Sequence, residues 1–366
     1  MSRPLLREHA AGRVRAVAGA ARAWRDPDHD ARAEAVQQTL DAPGRFTTEA
    51  LAFAVNAATH ALSAAERMRA WLGERSAPAG THVVAVAPSE EGGPLVGLRA
   101  ALAAFLAGHR VVFRAPGASP ALVPAFMQAA RQRADEEGPA FATAPALPEA
   151  LEQADAAIGG GDEEARASFE ARCAEAQVPP ERRRWRGPAF AVAVLDGHES
   201  DDEREELAED ALLYDGWGRR SVRLVWAPAG TDPDPYFQAM ARFRAVFPVH
   251  EDTPGALQMQ KAFLEARDEP HAHGDGLEFL VSRGAPQVQP PGHVRWVEYD
   301  ALGEVQGWLA RHAARDGDPS VQAVLAREDV RERLDGVPAP AWPLGTAHRH
   351  VLEAPGEGVL DFAAGL

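Results

Sequence analysis

The stretch HVVAVAPSEEGGPLVGLRAALAAFLAGHRVVFR, residues 82–114, carries the pattern that decides the fold. Its β-branched run at 82–87 predicts a buried strand, and the apolar segment at 95–107 predicts a helix that leads to a second strand at 110–114. Two strands joined through a helix lie parallel in one sheet, with the helix packed on a face of that sheet. The stretch therefore predicts a βαβ unit, with a glycine-rich turn at 91–94 after its first strand.

The same order of strand, turn and helix recurs along the chain. Helices follow most of the further predicted strands, which are at 155–158, 190–195, 222–226, 277–281 and 294–299. Upstream of residue 75, apolar residues recur at helical spacing. A chain of 366 residues is too long for one hydrophobic core, so the sequence predicts two α/β lobes with mostly parallel sheets behind a helical N-terminal segment.

Composition and charge exclude several classes of function. The 54 Asp and Glu residues outnumber the 38 Lys and Arg residues, which gives a formal net charge of −16. A nucleic-acid binder needs a basic face, so nucleic acid is not an expected partner. No apolar run approaches the ~20 residues that span a bilayer, and the N-terminus lacks the apolar core of a signal peptide. We therefore expect a cytoplasmic protein without a membrane span.

Three glycines at 159–161 come directly after a predicted strand and before a predicted helix. Such a turn exposes backbone N–H groups that suit a phosphate or a closely approaching cofactor. The turn departs from the dinucleotide fingerprint G-x-G-x-x-G, because Glu164 stands at its last glycine position. Asp162 and Glu163 would also repel a phosphate at the start of the helix. A tight structural turn is the alternative interpretation.

Other candidate residues have simpler interpretations. Cys173 lies within a predicted helix among acidic neighbours, without the positive environment of a reactive thiolate, so we predict a structural role. His271 with His273, and His348 with His350, place two imidazoles two residues apart. Both pairs lie in predicted loops and a metal needs a third ligand, so no metal site is expected.

Five short blocks occur in an order and spacing that resemble the bacterial acyl-CoA reductases of the LuxC type, a family of the aldehyde dehydrogenase superfamily. The blocks are 92–97 (GGPLVG), 106–114 (LAGHRVVFR), 155–161 (DAAIGGG), 208–222 (AEDALLYDGWGRRSV), and 343–347 (PLGTA) with 356–360 (GEGVL). The resemblance runs from about residue 80 to residue 366, and the chain looks closest to a compact version of the family.

The resemblance implies an aldehyde-dehydrogenase-like fold with two Rossmann-like parallel-sheet lobes. Residues 1–78 would form a helical segment that packs on a cofactor-binding lobe at 79–206. A catalytic-type lobe at 207–334 would follow, and a tail at 335–366 would pack back on the body. The superfamily also implies a homodimer.

The resemblance further implies a reaction and its residues. In that family a cysteine thiolate attacks a fatty acyl-CoA thioester, CoA leaves, and NADPH delivers hydride so that an aldehyde is released. The family motif Gly-Cys-Arg is Gly218-Arg219-Arg220 here, which puts Arg219 at the nucleophile position. A guanidinium has no lone pair to offer, so the covalent route is expected to be impaired. The asparagine that donates to the oxyanion corresponds to Gly92, and its loss typically costs ~10²–10³ in rate.

NADP(H) is the cofactor that the resemblance implies. The lysine that binds the ribose in that family corresponds to Arg114, which can still donate hydrogen bonds and would suit a 2′-phosphate. The glycine turn made of Gly159, Gly160 and Gly161 completes the expected cofactor site.

Three hypotheses stay open. The partner is an acyl-CoA or a related small molecule in the first two and a protein in the third. The first is an NADPH-dependent acyl-CoA reductase that uses another nucleophile, such as Ser221, or transfers hydride directly to the thioester. The second is a non-catalytic protein that binds NADP(H) and acyl-CoA, with Arg219 as an anion contact. The third is a structural or partner-binding protein.

Overall fold

The computed structural model describes residues 4–134, 140–312, 320–334, 336–349, 352 and 358–366. These residues belong to two compact units. The first is drawn from Met1–Gly44, Leu51–Gly187 and His350–Leu366, and the second from Arg45–Ala50 and Pro188–Arg349. Each unit contains one β-sheet.

The described residues form helices α1–α15 and strands β1–β12. The helices are Leu6–His9, Ala11–Ala23, Asp30–Leu40, Thr48–Ser63, Ala65–Leu72, Leu98–Ala107, Leu122–Arg133, Leu147–Leu151, Glu163–Glu175, Asp201–Leu212, Asp234–Val246, Thr253–Ala266, Leu302–His312, Glu328–Arg333 and Val359–Gly365. The strands are Val83–Ala87, Arg110–Arg114, Phe141–Ala144, Ala156–Gly160, Arg183–Arg186, Ala189–Val194, Val222–Pro228, His271–His273, Leu280–Arg283, His293–Tyr299, Ser320–Leu325 and Ala341–Trp342. Among these helices, none has the length and apolar character that crossing a bilayer requires.

The first unit is built on a five-stranded sheet of order β3-β2-β1-β4-β5, in which every strand pair is parallel. The βαβ unit predicted at 82–114 is confirmed, since β1 and β2 lie parallel with Val84 opposite Val111. Every residue of α6, which joins them, is buried except Arg99. A helix that is apolar on all sides needs cover on more than one side. The sheet and the C-terminal helix α15 both pack against α6.

The second unit is built on a seven-stranded sheet of order β12-β11-β6-β7-β10-β9-β8. Its strand pairs are parallel except at one edge, where β8 runs antiparallel to β9. All residues of the central strand β6 are buried, as expected of a parallel strand covered on both faces. The prediction of an α/β fold with mostly parallel sheets is therefore confirmed.

The longest continuous part of the second unit begins at Pro188, directly after Gly187 of the first unit. Strand β6 belongs to the second sheet, where it pairs with β7 and β11. The sequence division at 206/207 placed this strand with the preceding lobe. Its partners come later in the chain, and an all-apolar run carries no information about which sheet it joins.

Local boundaries differ from the predicted ones for identifiable reasons. The helix expected from residue 95 begins at Leu98, because Gly97 adopts a left-handed conformation with φ +89°. Gly159 and Gly160, expected in a turn, are the last two residues of β4. His271 and His273, expected in a loop, form β8 at the sheet edge.

Candidate functional site

The first unit contains a cavity of about 390 Å³ at the carboxyl ends of its central strands. Ala87 ends β1, Arg114 ends β2 and Gly160 ends β4, and all three residues line the cavity. Parallel α/β sheets bind ligands beyond these strand ends, and the volume lies in the range of ligand pockets. The cavity is therefore the candidate binding site of this unit.

A charged pair stands at the β2 side of the cavity. The Arg114 guanidinium forms an ion pair with one oxygen of Glu90, a residue of the turn after β1. The other oxygen, Oε2, accepts a hydrogen bond of 2.8 Å from the Gly117 N–H. The side chains of Arg114 and Glu90 are 28% and 50% exposed. The carboxylate is thus held from two sides while still facing the solvent of the cavity.

The three glycines expected to bind the cofactor have different surroundings. Gly159 lies between Phe169 and Trp185, where a Cβ atom would stand 2.7 Å from both rings, and it is not a lining residue. Gly160 and Gly161 do line the cavity. Gly161 has φ +149°, and its N–H donates to a backbone carbonyl at 3.2 Å. Close packing against the two rings therefore requires glycine at 159, and the positive φ requires glycine at 161.

The N-terminus of α9 borders the cavity and is already capped. Asp162 is the N-cap residue, and its carboxylate accepts a hydrogen bond of 2.8 Å from the Ala165 N–H. Glu163 and Glu164 add two acidic side chains in the first turn, which the positive end of the helix favours. A phosphate at this helix start would therefore meet a carboxylate that is already in place.

Gly92, the position matched to the oxyanion donor, lies in the first unit but is not among the lining residues of the cavity. It is buried with φ +155°, and a Cβ atom there would stand 2.9 Å from a methyl group of Val96. The chain path after β1 therefore requires glycine at this position. An asparagine side chain would need Val96 to move.

In the second unit, the turn between α10 and β7 has an unusual backbone. Tyr214 and Asp215 have φ of +57° and +51°, and Gly216 has φ +76°. Left-handed conformations of non-glycine residues cost free energy and persist only where surrounding contacts impose them. This turn also contains Arg219, the position matched to the nucleophile.

Buried polar contacts hold the turn in place through Asp215. Its carboxylate pairs with Arg244 at 2.9 Å, and both side chains are 5% exposed. It also accepts hydrogen bonds from the Thr253 hydroxyl at 2.7 Å and from the His250 N–H at 2.9 Å. Charged hydrogen bonds of this kind are strong when they are buried and mutually satisfied.

Gly218 allows two side chains to approach the turn closely. A Cβ atom on Gly218 would stand 2.9 Å from Ser221 Oγ and 3.2 Å from His348 Nδ1. Ser221 is fully buried, and its hydroxyl has no hydrogen-bond partner among the described residues. The other ring nitrogen of His348 lies 3.2 Å from the Asp210 carbonyl oxygen, so an Nε2–H donor would leave Nδ1 as an acceptor.

Burial shifts the pKa values of two groups near this turn, His348 and Asp210. It lowers the pKa of His348 to about 3, with the nearby Arg220 as a further cause, so the imidazole is neutral at pH 7. Burial also raises the pKa of the Asp210 carboxyl well above its usual range. That carboxyl accepts hydrogen bonds from the Gly345 N–H at 2.7 Å and the Ala347 N–H at 2.9 Å. Asp210 thereby fastens the segment that carries His348 to α10.

The structure thus brings together Arg114, Gly160 and Gly161 in one cavity of the first unit, whereas Arg219 belongs to the second unit. Sequence reasoning assigned no role to Glu90, Asp210 or His348. The last two stand in or beside the blocks at 208–222 and 343–347, but their contact joins segments far apart in the chain.

Cys173 and the histidine pairs are the remaining candidate residues from the sequence. Cys173 is fully buried in α9, and burial raises the pKa of its thiol to about 11, which agrees with the predicted structural role. The described residues contain no group of three or more His, Cys, Asp or Glu side chains placed to hold a metal ion. His350 lies outside the described residues.

The cavity residues fit the adenosine half of a nicotinamide dinucleotide. Phe169 and Trp185, with ring centroids 5.2 Å apart, give an apolar wall for a purine. Arg114 and Glu90 offer charged hydrogen-bond partners for a ribose at the strand end where such folds place it. A diphosphate would have to lie away from Asp162 at the start of α9.

Comparison with known proteins supports the fold. No family model and no curated protein sequence matches the chain. The structure is similar to that of an NAD-dependent benzaldehyde dehydrogenase from Corynebacterium glutamicum, with a TM-score of 0.65 and 12% identity over 96% of this chain and 83% of the other. It is also similar to a succinic semialdehyde dehydrogenase from Streptococcus pyogenes in complex with NADP+, with a TM-score of 0.63 and 13% identity over 91% and 79%.

A third similar structure is an aldehyde dehydrogenase from Brucella melitensis biovar abortus 2308, with a TM-score of 0.62 and 14% identity over 92% of this chain and 79% of that chain. At such identities the likeness defines the fold. The chain has the aldehyde-dehydrogenase-like α/β architecture.

Proposed function

We propose that the protein binds a nicotinamide dinucleotide, NAD(P)(H), in the cavity of its first unit, and an acyl-CoA-type ligand, without forming a covalent thioacyl intermediate. The observation that carries this proposal is the cavity of about 390 Å³ at the ends of β1, β2 and β4. Fold likeness to dehydrogenases described with NAD or NADP+ adds support. The bound nicotinamide would supply or accept hydride if a reaction takes place.

The absence of a usable thiol argues for binding without thiol catalysis. The chain has one cysteine, Cys173, and it is fully buried. A catalytic cysteine must be a thiolate near neutral pH, whereas burial raises the pKa of this thiol to about 11. Arg219 is the residue that the resemblance places where the family has its cysteine, and a guanidinium cannot attack a thioester.

Calorimetric titration with NADH and NADPH tests the binding proposal. Ser168 lies on α9, is exposed and lines the cavity, so Ser168→Trp is expected to fill it and to weaken binding of both dinucleotides at least tenfold. Ala171 is exposed on the same helix but is not a lining residue, so Ala171→Trp is expected to leave binding unchanged. Failure of the wild-type protein to bind either dinucleotide would overturn the proposal.

A second candidate is a reductase that uses Ser221 in place of a cysteine. The observation that favours this candidate is that the Ser221 hydroxyl, which has no partner among the described residues, and His348 both lie close to Gly218. The Ser221 oxygen would attack the thioester carbon, its proton would pass to His348 Nδ1 and then to the leaving CoA thiolate, and an ester would result. The ester carbon would then accept a hydride, which bound NADPH would supply. Cleavage of the bond between this carbon and the serine oxygen would release the aldehyde, and a proton from solvent would restore the serine hydroxyl. Ser221 has no exposed surface, so this route requires the turn to open.

The two candidates differ in one assay. Incubation with NADPH and acyl-CoA thioesters of several chain lengths should leave NADPH unoxidised if the protein is a binder. The reductase candidate predicts aldehyde formation that Ser221→Ala abolishes and that Cys173→Ala leaves intact. Turnover that persists in both variants would reject covalent catalysis by either residue.

The homodimer implied by the resemblance belongs to the same proposal. Light scattering after size exclusion should then give about twice the chain mass of 39.1 kDa. A mass equal to that of one chain at micromolar concentration would reject the dimer without affecting the cavity.

A further inference from the structure

We infer that the cavity of the first unit selects a dinucleotide whose adenosine ribose carries a free 2′-hydroxyl, so that NAD(H) binds more tightly than NADP(H), and that Glu90 makes this selection. The inference rests on the proposed dinucleotide binding. It goes beyond that proposal because neither the fold likeness nor the residue Arg114 alone distinguishes the two cofactors.

The charged pair of Arg114 and Glu90 lies where a Rossmann-type sheet binds the adenosine ribose. Arg114 ends β2, and in Rossmann-type sheets a carboxylate near this edge bonds the ribose 2′-hydroxyl, whereas an arginine there accommodates a 2′-phosphate. This chain has both groups in contact, since the Arg114 guanidinium pairs with Glu90. Which of the two faces the ligand therefore decides the selection.

Two contacts hold the Glu90 carboxylate against Arg114. One of its oxygens is paired with Arg114, and the other accepts the Gly117 N–H at 2.8 Å. A 2′-phosphate could reach the guanidinium only by displacing this carboxylate, which would then stand beside the phosphate or lose its backbone partner. A 2′-hydroxyl has no such conflict, because a carboxylate has about four acceptor positions and can accept a hydrogen bond from the hydroxyl while both existing contacts persist.

The charges that line the cavity are mostly negative. Its described lining contains three carboxylates, on Glu90, Glu91 and Asp162, against the single guanidinium of Arg114. Asp162 also caps α9, so its carboxylate is fixed at the border of the cavity. An added 2′-phosphate carries close to two negative charges at pH 7 and would meet an excess of acidic groups.

Direct titration of NADH and NADPH into the wild-type protein is the experiment. We expect NADH to bind at least about tenfold more tightly, which corresponds to about 1.4 kcal/mol. Glu90→Gln removes the charge but keeps the shape, and it should reduce this preference to less than about threefold by strengthening NADPH binding. Glu152→Gln removes an equal charge from an exposed residue of the same unit that does not line the cavity, and it should leave the preference unchanged.

A second pair of probes removes the nicotinamide from the measurement. Adenosine 5′-monophosphate should compete for the cavity better than adenosine 2′,5′-bisphosphate does, because the two differ only in the 2′-phosphate. Equal or tighter binding of NADPH, or a preference unchanged in Glu90→Gln, overturns this inference and leaves the proposed function intact. Failure of all the adenosine ligands to bind overturns the proposed function itself.

Discussion

At the scale of single residues, buried polar contacts hold Asp215 in the turn before β7. It pairs with Arg244, accepts two further hydrogen bonds, and holds a left-handed backbone. Asp215→Asn keeps the shape and tolerates this backbone but removes the charge that compensates the buried guanidinium. Removing one partner of a buried pair costs about 3–5 kcal/mol. We expect a loss of that size in the free energy of unfolding measured by urea titration.

The control for this substitution is Asp252→Asn, since that side chain is 86% exposed. A surface change of this kind should stay within about 0.5 kcal/mol of the wild type. If Asp215→Asn is no more destabilising than Asp252→Asn, the pair with Arg244 does not hold the turn.

At the scale of elements, the position of α15 depends on contacts with residues far away in the sequence, among them His109. His109 is fully buried and directly precedes β2. Its Nε2 lies 2.7 Å from the Ala363 carbonyl oxygen, and its Nδ1 accepts a hydrogen bond of 3.2 Å from the His82 N–H. His109→Ala removes both contacts and leaves a cavity beneath α15. Amide hydrogen exchange over 359–365 should then accelerate at least tenfold.

An exposed histidine provides the matched control for α15. His60 lies on the exposed side of α4, so His60→Ala should leave exchange over 359–365 unchanged. If exchange there is equally fast in the wild type and in His109→Ala, the histidine does not fasten this helix.

Elements differ in how far the sequence alone predicts them. Apolar β-branched runs correctly indicated β1, β2, β6, β7 and β10, because central strands are buried on both faces. The sequence RRWR of the edge strand β5 predicts no strand, since an edge strand needs no apolar alternation and its charges are typical of a solvated turn. The sequence HAH of strand β8 predicts a loop for the same reason.

The candidate site was predictable to a similar extent. The resemblance assigned Arg114 to the cofactor, and the glycine turn assigned Gly160 to it. Both residues line the cavity, where the carboxyl ends of parallel strands converge, and their role in cofactor binding stays a prediction. The partners Glu90 and His348 were not predicted, since each meets its neighbours through chain paths that local spacing does not encode. Gly159 was assigned to the cofactor, although its neighbours are two aromatic rings of the core.

For the whole molecule, burial of neutral histidines makes stability depend on pH. Burial lowers the pKa of His293 to about 3, and its ring nitrogens lie 2.7 Å from Ser282 Oγ and from Gln260 Oε1. The unfolded chain protonates this histidine near pH 6.5, whereas the folded chain does so only near pH 3, so its stabilising contribution is lost as the pH falls through this window. Carboxyls with raised pKa, Asp210 among them, act in the opposite direction. The contribution of one histidine therefore has to be measured as a difference between variants.

His293→Gln supplies that difference. At pH 7 the variant should be less stable than the wild type, because glutamine cannot reproduce both hydrogen bonds of the buried ring. The gap between the two free energies of unfolding should narrow by about 2 kcal/mol from pH 7 to pH 5, since only the wild type must exclude a proton from this position on folding. His198 is exposed, so His198→Gln should show a constant gap over the same range. A constant gap for His293→Gln as well would mean that this histidine is protonated alike in the folded and unfolded chains.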